Sequence, residues 1–342
     1  MIRVLIADDS VTARELLAAM LSANPGIEVI GMAKDGREAV ELTKCLRPDL
    51  VTMDLHMPVM NGFEATKQIM IEAPTPIIIV TAGLDVNDVK VSMEALRVGA
   101  LALLDKPALG AGDFQAACAR VTSTVKAMAG VKVVRHFAPR TPAAQPQAQA
   151  ARSPRIRLVA IAASTGGPAA LARVFADLPG QFPVPIIVVQ HIAKGFVTGF
   201  ASWLNSSCPL QVKVAQEGEA LQPSRVYLAP DDVHLGVDAH LRARLNHSAP
   251  IDGFRPSATF TFQSVAKVLG PAALSLILTG MGQDGVAGLA DIKKAGGRIA
   301  AQDEASSVVF GMPGAAIARG LADRALPLAG IGEWLITQVC SG

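Results

Sequence analysis

Short runs of apolar residues recur along the chain, each closing on a polar or small residue. In the first third they read RVLIAD (3–8), IEVIGMA (27–33), DLVTMD (49–54), PIIIVTA (76–82) and ALALLD (100–105). Between them apolar positions return at helical spacing, as in TARELLAAML and GREAVELTKCL, and 114–130 continues as a last helix. Such runs predict strands buried on both faces, and their regular alternation with helices predicts a parallel sheet covered on both sides. A second series follows: RLVAIAA (157–163), PIIVVQ (185–190), VYLA (226–229), LSLILTG (274–280) and RIAAQD (298–303). Its helices are expected to begin near Pro168, Gly195, Pro256, Gly285 and Met312. The stretch 210–250 breaks the pattern. Its short alternating runs, such as HLGVDAHLRARL, predict an antiparallel hairpin added to an otherwise parallel sheet.

From about 131 to 155 the periodicity stops, and Pro, Ala, Gln and Arg dominate. This composition predicts a mobile linker between two domains, 1–130 and 156–342. Charge follows the same division. Residues 1–113 carry 10 basic and 16 acidic side chains, 114–157 carry 8 basic and none acidic, and 158–342 carry 13 of each. A nucleic-acid role is open to the basic middle, but with only Phe114 and Phe137 to stack bases it reads rather as a solvated linker that rests on the acidic domain. Hydrophobic residues make up 51% of the chain and aromatics only 4%, so both cores are aliphatic. No apolar run approaches the roughly 20 residues of a membrane span, and the N-terminus enters a strand directly instead of a signal peptide. Cys45, Cys118, Cys208 and Cys340 form no CxxC pair. That argues against a zinc site or disulfide framework and fits a reducing cytoplasm.

A parallel sheet presents its chemistry at the carboxyl ends of its strands. In the first domain those ends carry Asp8 and Asp9, Asp54, Thr81, and Lys106 followed by Pro107. Three carboxylates at one edge repel one another unless a cation joins them, and a hard divalent ion, Mg²⁺, suits an all-oxygen set. An aspartate there is a candidate phosphoryl acceptor, with Thr81 and Lys106 contacting the phosphoryl oxygens. This set, with MDLHMPVMNG around Asp54, resembles the receiver domain of response regulators, a flavodoxin-like (βα)5 fold. The resemblance implies that Asp54 accepts phosphate from a histidine kinase. It further implies that Asp9, Asp54 and the backbone carbonyl of His56, beside Asp8, hold Mg²⁺. One departure is Leu103, where receivers usually carry an aromatic switch residue.

In the second domain, Ser164 follows RLVAIAA and opens the turn STGGP. A hydroxyl at a strand end, facing a helix N-terminus across two glycines, suits a nucleophile. The plainer readings are a small turn or a phosphate-cradling loop, the latter the weaker since it lacks the lysine of GxxxxGK[ST] and the spacing of GxGxxG. His191 follows PIIVVQ, and Asp284 lies in TGMGQDG. Brought to one edge, the three supply nucleophile, base and orienting acid. Asp284 could instead cap the next helix. The amide of Met281, aided by the region of Thr165, is the expected oxyanion donor. His234, His240 and His247 match no common zinc spacing and read as surface residues.

AIAASTGGPAAL, VVQHI, FRPSATFTFQSVA, LTGMGQDGVAGL and QDEASSVVFGMPGAA resemble the catalytic domain of the CheB family, the chemotaxis protein-glutamate methylesterases. The resemblance implies a doubly wound, mostly parallel α/β hydrolytic domain that needs no cofactor, with Ser164, His191 and Asp284 as catalytic residues. Its implied substrates are γ-glutamyl methyl esters on cytoplasmic chemoreceptor helices, with deamidation of receptor glutamines in many members. Phosphorylation at Asp54 is then expected to relieve inhibition by the receiver. A phosphorylation-controlled scaffold without turnover is the competing reading. Two departures fall outside the three residues: Ile192-Ala193 after the histidine, and Asp231-Asp232 in a turn that usually carries glycine.

Overall fold

The computed structural model describes residues 1–81, 94–96, 98–106, 114–131 and 155–340. Pro107 and nearly all of the expected linker lie outside the described residues. The chain divides into two compact units, Met1–Ala138 and Pro139–Gly342.

The first unit runs β1 (Ile2–Ala7), α1 (Val11–Ser22), β2 (Ile27–Ala33), α2 (Gly36–Leu46), β3 (Leu50–Met53), α3 (Gly62–Glu72), β4 (Ile77–Thr81), β5 (Ala102–Asp105) and α4 (Phe114–Met128). The sheet order is β2-β1-β3-β4-β5, and every pairing is parallel. β3 and β4 are buried along their whole lengths, as unbroken apolar runs require. Ser10, Asp35 and Asn61 start α1, α2 and α3, each accepting an amide of the first turn. Strand order reverses between β1 and β3, so a crevice opens where Asp8, Asp9 and Asp54 emerge.

The second unit begins with β6 (Leu158–Ala163), α5 (Gly167–Ala176), β7 (Ile186–Gln190), α6 (Val197–Ser207), β8 (Gln211–Val214) and β9 (Arg225–Leu228). It continues with β10 (His234–Val237), β11 (Ala243–Asn246), α7 (Ala258–Leu269), β12 (Ala273–Ile277) and α8 (Val286–Lys294). It closes with β13 (Arg298–Gln302), α9 (Met312–Ala318), β14 (Arg324–Leu326) and α10 (Leu328–Cys340). Seven strands form one parallel sheet in the order β14-β13-β12-β6-β7-β9-β8. β6, β7 and β12 are fully buried, and each Val, Ile or Leu side chain so removed from water contributes about 1.5–3 kcal/mol. The chain winds outward from β6 to β8, then returns to β12 on the other side of β6. The reversal places the crevice over the carboxyl ends of β6 and β12.

The expected hairpin is present as β10–β11, but it forms its own two-stranded sheet. β8, from the same stretch, joins the main sheet in parallel with β9. The hairpin is fastened to α7 instead: the Thr261 hydroxyl donates to the Leu235 carbonyl at 2.6 Å, and the Val237 amide donates to the Ser264 hydroxyl at 2.8 Å. This fastening overturns one surface assignment. His240 and His247 are exposed, whereas His234, the first residue of β10, is 0% exposed on a strand that packs against α7.

Candidate active site

The turn after β6 is fixed from three sides. The Ser164 amide donates to the Thr279 carbonyl at 3.0 Å, and the Ser164 carbonyl accepts the Gly167 amide at 2.8 Å. Gly166 adopts φ 77°, a left-handed conformation that favours glycine. Gly280, in the turn after β12, admits the nucleophile candidate closely: a Cβ there would lie 2.7 Å from the Ser164 Cβ. Ser164 is consequently half-buried in a rigid turn.

His191 lies one strand over. Ala163 pairs with Gln190 in the β6–β7 register, and the His191 amide donates to the Ala163 carbonyl at 3.0 Å. Ser164 and His191 are therefore the next residues of two paired strands. The Gln190 carboxamide ties them together, donating to the Ser164 carbonyl at 2.8 Å and to the His191 carbonyl at 2.7 Å. The imidazole stacks on Phe254, with ring centroids 4.3 Å apart and planes 11° from parallel.

Asp284 is 3% exposed and collects five donors. One carboxylate oxygen, Oδ2, lies 2.9 Å from His191 Nε2 and accepts the Ala258 amide at 2.7 Å. Oδ1 accepts the Ser257 hydroxyl at 2.8 Å, the Thr259 amide at 3.0 Å and the Gly285 amide at 2.8 Å. The carboxylate thus sits on the N-terminus of α7, where unpaired amides and the helix dipole favour an anion. Burial pushes its pKa up, but the hydrogen bond and charge of His191, the Ala258 amide and the Ser257 hydroxyl outweigh it and hold the carboxyl at about 2. Asp284 does cap a helix, but that helix is α7, reached across the core, and it meets His191 at the same time. An ionised carboxylate only accepts, so Nε2 carries the imidazole proton and Nδ1 is left as an acceptor. Nδ1 is buried and makes no hydrogen bond among the described residues. Catalytic hydrogen bonds often close only when substrate is bound.

The amides of Thr165 and Met281 donate no hydrogen bond among the described residues. They lie on the turns after β6 and β12, the two strands that flank the crevice. Met281 is 37% exposed. A cavity of about 160 Å³ opens beside His191, walled by Gln190, Ile192, Val197, Phe254 and Arg255, with Asp231 at its edge. Asp231 accepts the Gly195 amide at 2.7 Å, and burial pushes its carboxyl up despite that bond. Asp232, at φ 57°, pairs with Arg255 at 2.7 Å. Its left-handed backbone explains why glycine suits this turn, and aspartate is among the few other residues that tolerate it.

Ser257, the Ala258 and Thr259 amides, Gln190 and Phe254 were not singled out from the sequence. The Pro-Ser step in FRPSATF, ahead of an apolar helical stretch, is an N-cap signature that marks Ser257.

In the first unit, Asp8 and Asp54 are buried at 1% and 3%, Asp9 is exposed, and their carboxylates converge within 4.8 Å. Lys106 Nζ lies 2.8 Å from Asp8 and 2.9 Å from Asp54. Burial is the largest influence on Asp54 and, with neighbouring Asp8, raises its pKa against the lowering by Lys106 and the Leu55 amide. Burial lowers the Lys106 pKa, but its two carboxylate partners outweigh that and raise it. Arg14 clamps the acidic loop, donating to the Asp8 carbonyl at 2.6 Å and to the Asp9 carbonyl at 3.1 Å. The Thr81 hydroxyl is buried without a hydrogen-bond partner among the described residues. The His56 side chain is exposed in the loop after β3. Leu103, on β5, pairs with Ile79. An acid cluster with two buried members and one exposed, one lysine and an orphaned hydroxyl fits a hard cation and a phosphoryl group.

Comparison with known proteins matches these features. The response regulator receiver domain family matches residues 4–117, and the CheB methylesterase family matches residues 159–335. A protein-glutamate methylesterase/protein-glutamine glutaminase of Myxococcus xanthus (strain DK1622) is 54% identical over 333 residues, covering 96% of this chain and 94% of that protein. One from Syntrophus aciditrophicus (strain SB) is 43% identical over 334 residues, covering 96% and 95%. The crystal structure of the Thermotoga maritima CheB methylesterase catalytic domain aligns with a TM-score of 0.52 at 42% identity, covering 53% of this chain and 97% of that one. Alike in its second unit to that solved domain, and over nearly its whole length to those relatives, the chain belongs to the CheB methylesterase family, with a response regulator receiver domain in front of the hydrolytic unit.

Proposed function

We propose that the chain is a phosphorylation-activated protein-glutamate methylesterase, acting on γ-glutamyl methyl esters of chemoreceptor helices and deamidating glutamines at the same site. The observation that carries this reading is the His191–Asp284 pair at 2.9 Å, with a buried imidazole acceptor turned to no other partner, one strand from Ser164.

The chemistry follows from that arrangement. His191 Nδ1 takes the hydroxyl proton as Ser164 Oγ attacks the ester carbonyl carbon. Asp284, ionised far below neutral pH, stabilises the imidazolium and holds its orientation. The Met281 amide, aided by Thr165, faces the developing oxyanion; one such donor is typically worth about 10² to 10³ in rate. The tetrahedral intermediate collapses, the C–O bond to the methoxy group breaks, and His191 returns the proton so that methanol leaves. Water then adds to the Ser164 acyl ester by the same route in reverse, freeing glutamate. A glutamine side chain follows the same steps with ammonia as the leaving group.

In the first unit, Asp54 accepts phosphate from a histidine kinase, and Thr81 and Lys106 contact the phosphoryl oxygens. Asp9, Asp54 and the His56 carbonyl, supported by Asp8, would hold Mg²⁺, which offsets negative charge around the phosphoryl group. Among the described residues no helix is long and apolar enough to cross a membrane; a cytoplasmic location accords with these partners. Methanol release from methylated receptor membranes tests the activity: the wild-type chain should release it and Ser164→Ala should not. Release by the Ser164→Ala chain, still folded by circular dichroism, would remove Ser164 from the mechanism.

A further inference from the structure

His234 is the one histidine of the second unit that is completely enclosed, and no step above uses it. Its Nδ1 accepts the Ser257 backbone amide at 3.1 Å. Its Nε2 lies 3.2 Å from the Ala249 carbonyl, an oxygen that can only accept. The neighbours therefore dictate the tautomer: Nε2 carries the proton and Nδ1 is the bare acceptor. The ring stacks on Phe260 of α7, with centroids 4.8 Å apart.

The amide that His234 holds belongs to the N-cap of α7. The next groups along that backbone, the Ser257 hydroxyl and the Ala258 and Thr259 amides, are three of the five donors on Asp284. A continuous path of hydrogen bonds and one peptide segment thus runs from His234 through Ser257 to Asp284 and on to His191 Nε2. An apolar residue at 234 could fill the space but could not accept the buried Ser257 amide.

We propose that His234 is a positioning residue: through the Ser257 amide it fixes the start of α7, so that the donors there hold the Asp284 carboxylate in the plane and direction the His191 imidazole requires. This inference rests on the esterase reading above, and the experiment separates the two.

The full-length chain, activated with acetyl phosphate, is assayed for methanol release from methylated receptor membranes. His234→Asn keeps an acceptor near the place of Nδ1, whereas His234→Gln keeps a donor toward Ala249 and loses that acceptor. The relay predicts that the asparagine variant retains most of kcat, while the glutamine variant and His234→Leu lose about 10²-fold in kcat at little change in KM. Placed in an Asp284→Asn chain, His234→Leu should add almost no further loss, because the residue acts through that carboxylate. The proton resonance of His191 Nε2–H should shift in His234→Gln and stay in place in His234→Asn. A glutamine variant as active as the asparagine one, an equal loss in both Asp284 backgrounds, or an unmoved resonance would overturn the proposal. If His234→Leu does not fold, the asparagine–glutamine comparison still decides. If the wild-type chain releases no methanol, the esterase reading fails, and the resonance alone judges His234.

Discussion

His191 Nε2 and Asp284 Oδ2 lie 2.9 Å apart, and the same oxygen accepts the first amide of helix α7 from Ala258 at 2.7 Å. One carboxylate therefore both orients an imidazole and terminates a core helix. Removing its charge should affect rate and stability together. Asp284→Asn should lower kcat by about 10³ to 10⁴, since an amide can present its NH₂ to the imidazole and favour the wrong tautomer. It should also lower the melting temperature. Methanol release and thermal melts measure the two effects.

Acid should expose the same group. Folding lowers the Asp284 pKa from 3.8 to about 2, so across that interval the unfolded chain binds more protons than the folded one. The stability involved, on the order of 2 kcal/mol, is fully present above the unfolded pKa and disappears as pH falls through the folded value. Denaturant titrations of the wild type between about pH 5 and about pH 1 should show a steeper loss than those of Asp284→Asn. Parallel curves would contradict the assignment.

Gln190 is 6% exposed and donates to the carbonyls of both Ser164 and His191. Gln190→Leu keeps the volume and removes the tie. It should destabilise the fold by about 1–3 kcal/mol through unsatisfied carbonyls, and it should lower kcat more than it raises KM. Chemical denaturation and steady-state kinetics measure both.

In the receiver unit, Asp54→Asn should abolish stimulation by acetyl phosphate while leaving the unstimulated esterase rate intact. Chelation of Mg²⁺ should have the same effect on the wild type, because Asp8, Asp9 and Asp54 converge within 4.8 Å with Lys106 as the cation paired to Asp8 and Asp54. Rates with and without phosphodonor and chelator test both statements.

The strand ends were the most legible part of the site. Apolar runs closing on Ser164, His191, Asp8 and Asp54 marked the sheet edges at which polar groups gather, because a buried strand tolerates polar residues only where it leaves the core. The edges of the sheet were less legible. β8 reads QVKV and β14 only RAL, too short and too polar to register as buried strands. His234 was misread because a lone histidine in an alternating stretch carries no mark of which face is covered. Its burial depends on α7, which begins 24 residues later. The partners of Asp284 were hidden for a related reason: three of them are backbone groups or an N-cap hydroxyl of that helix, and spacing along the chain does not reveal what a helix N-terminus will face.

The pairing of β6 with β12 joins residues 158–162 to 273–277. Joining segments so distant along the polypeptide costs loop-closure entropy, which slows folding. A nascent chain emerging from the ribosome carries its serine and imidazole long before the aspartate is synthesised. With Ser164, His191 and Asp284 acting as one set, a chain truncated before β12 should therefore cleave no ester, since β12 sits between β6 and β13 in the sheet.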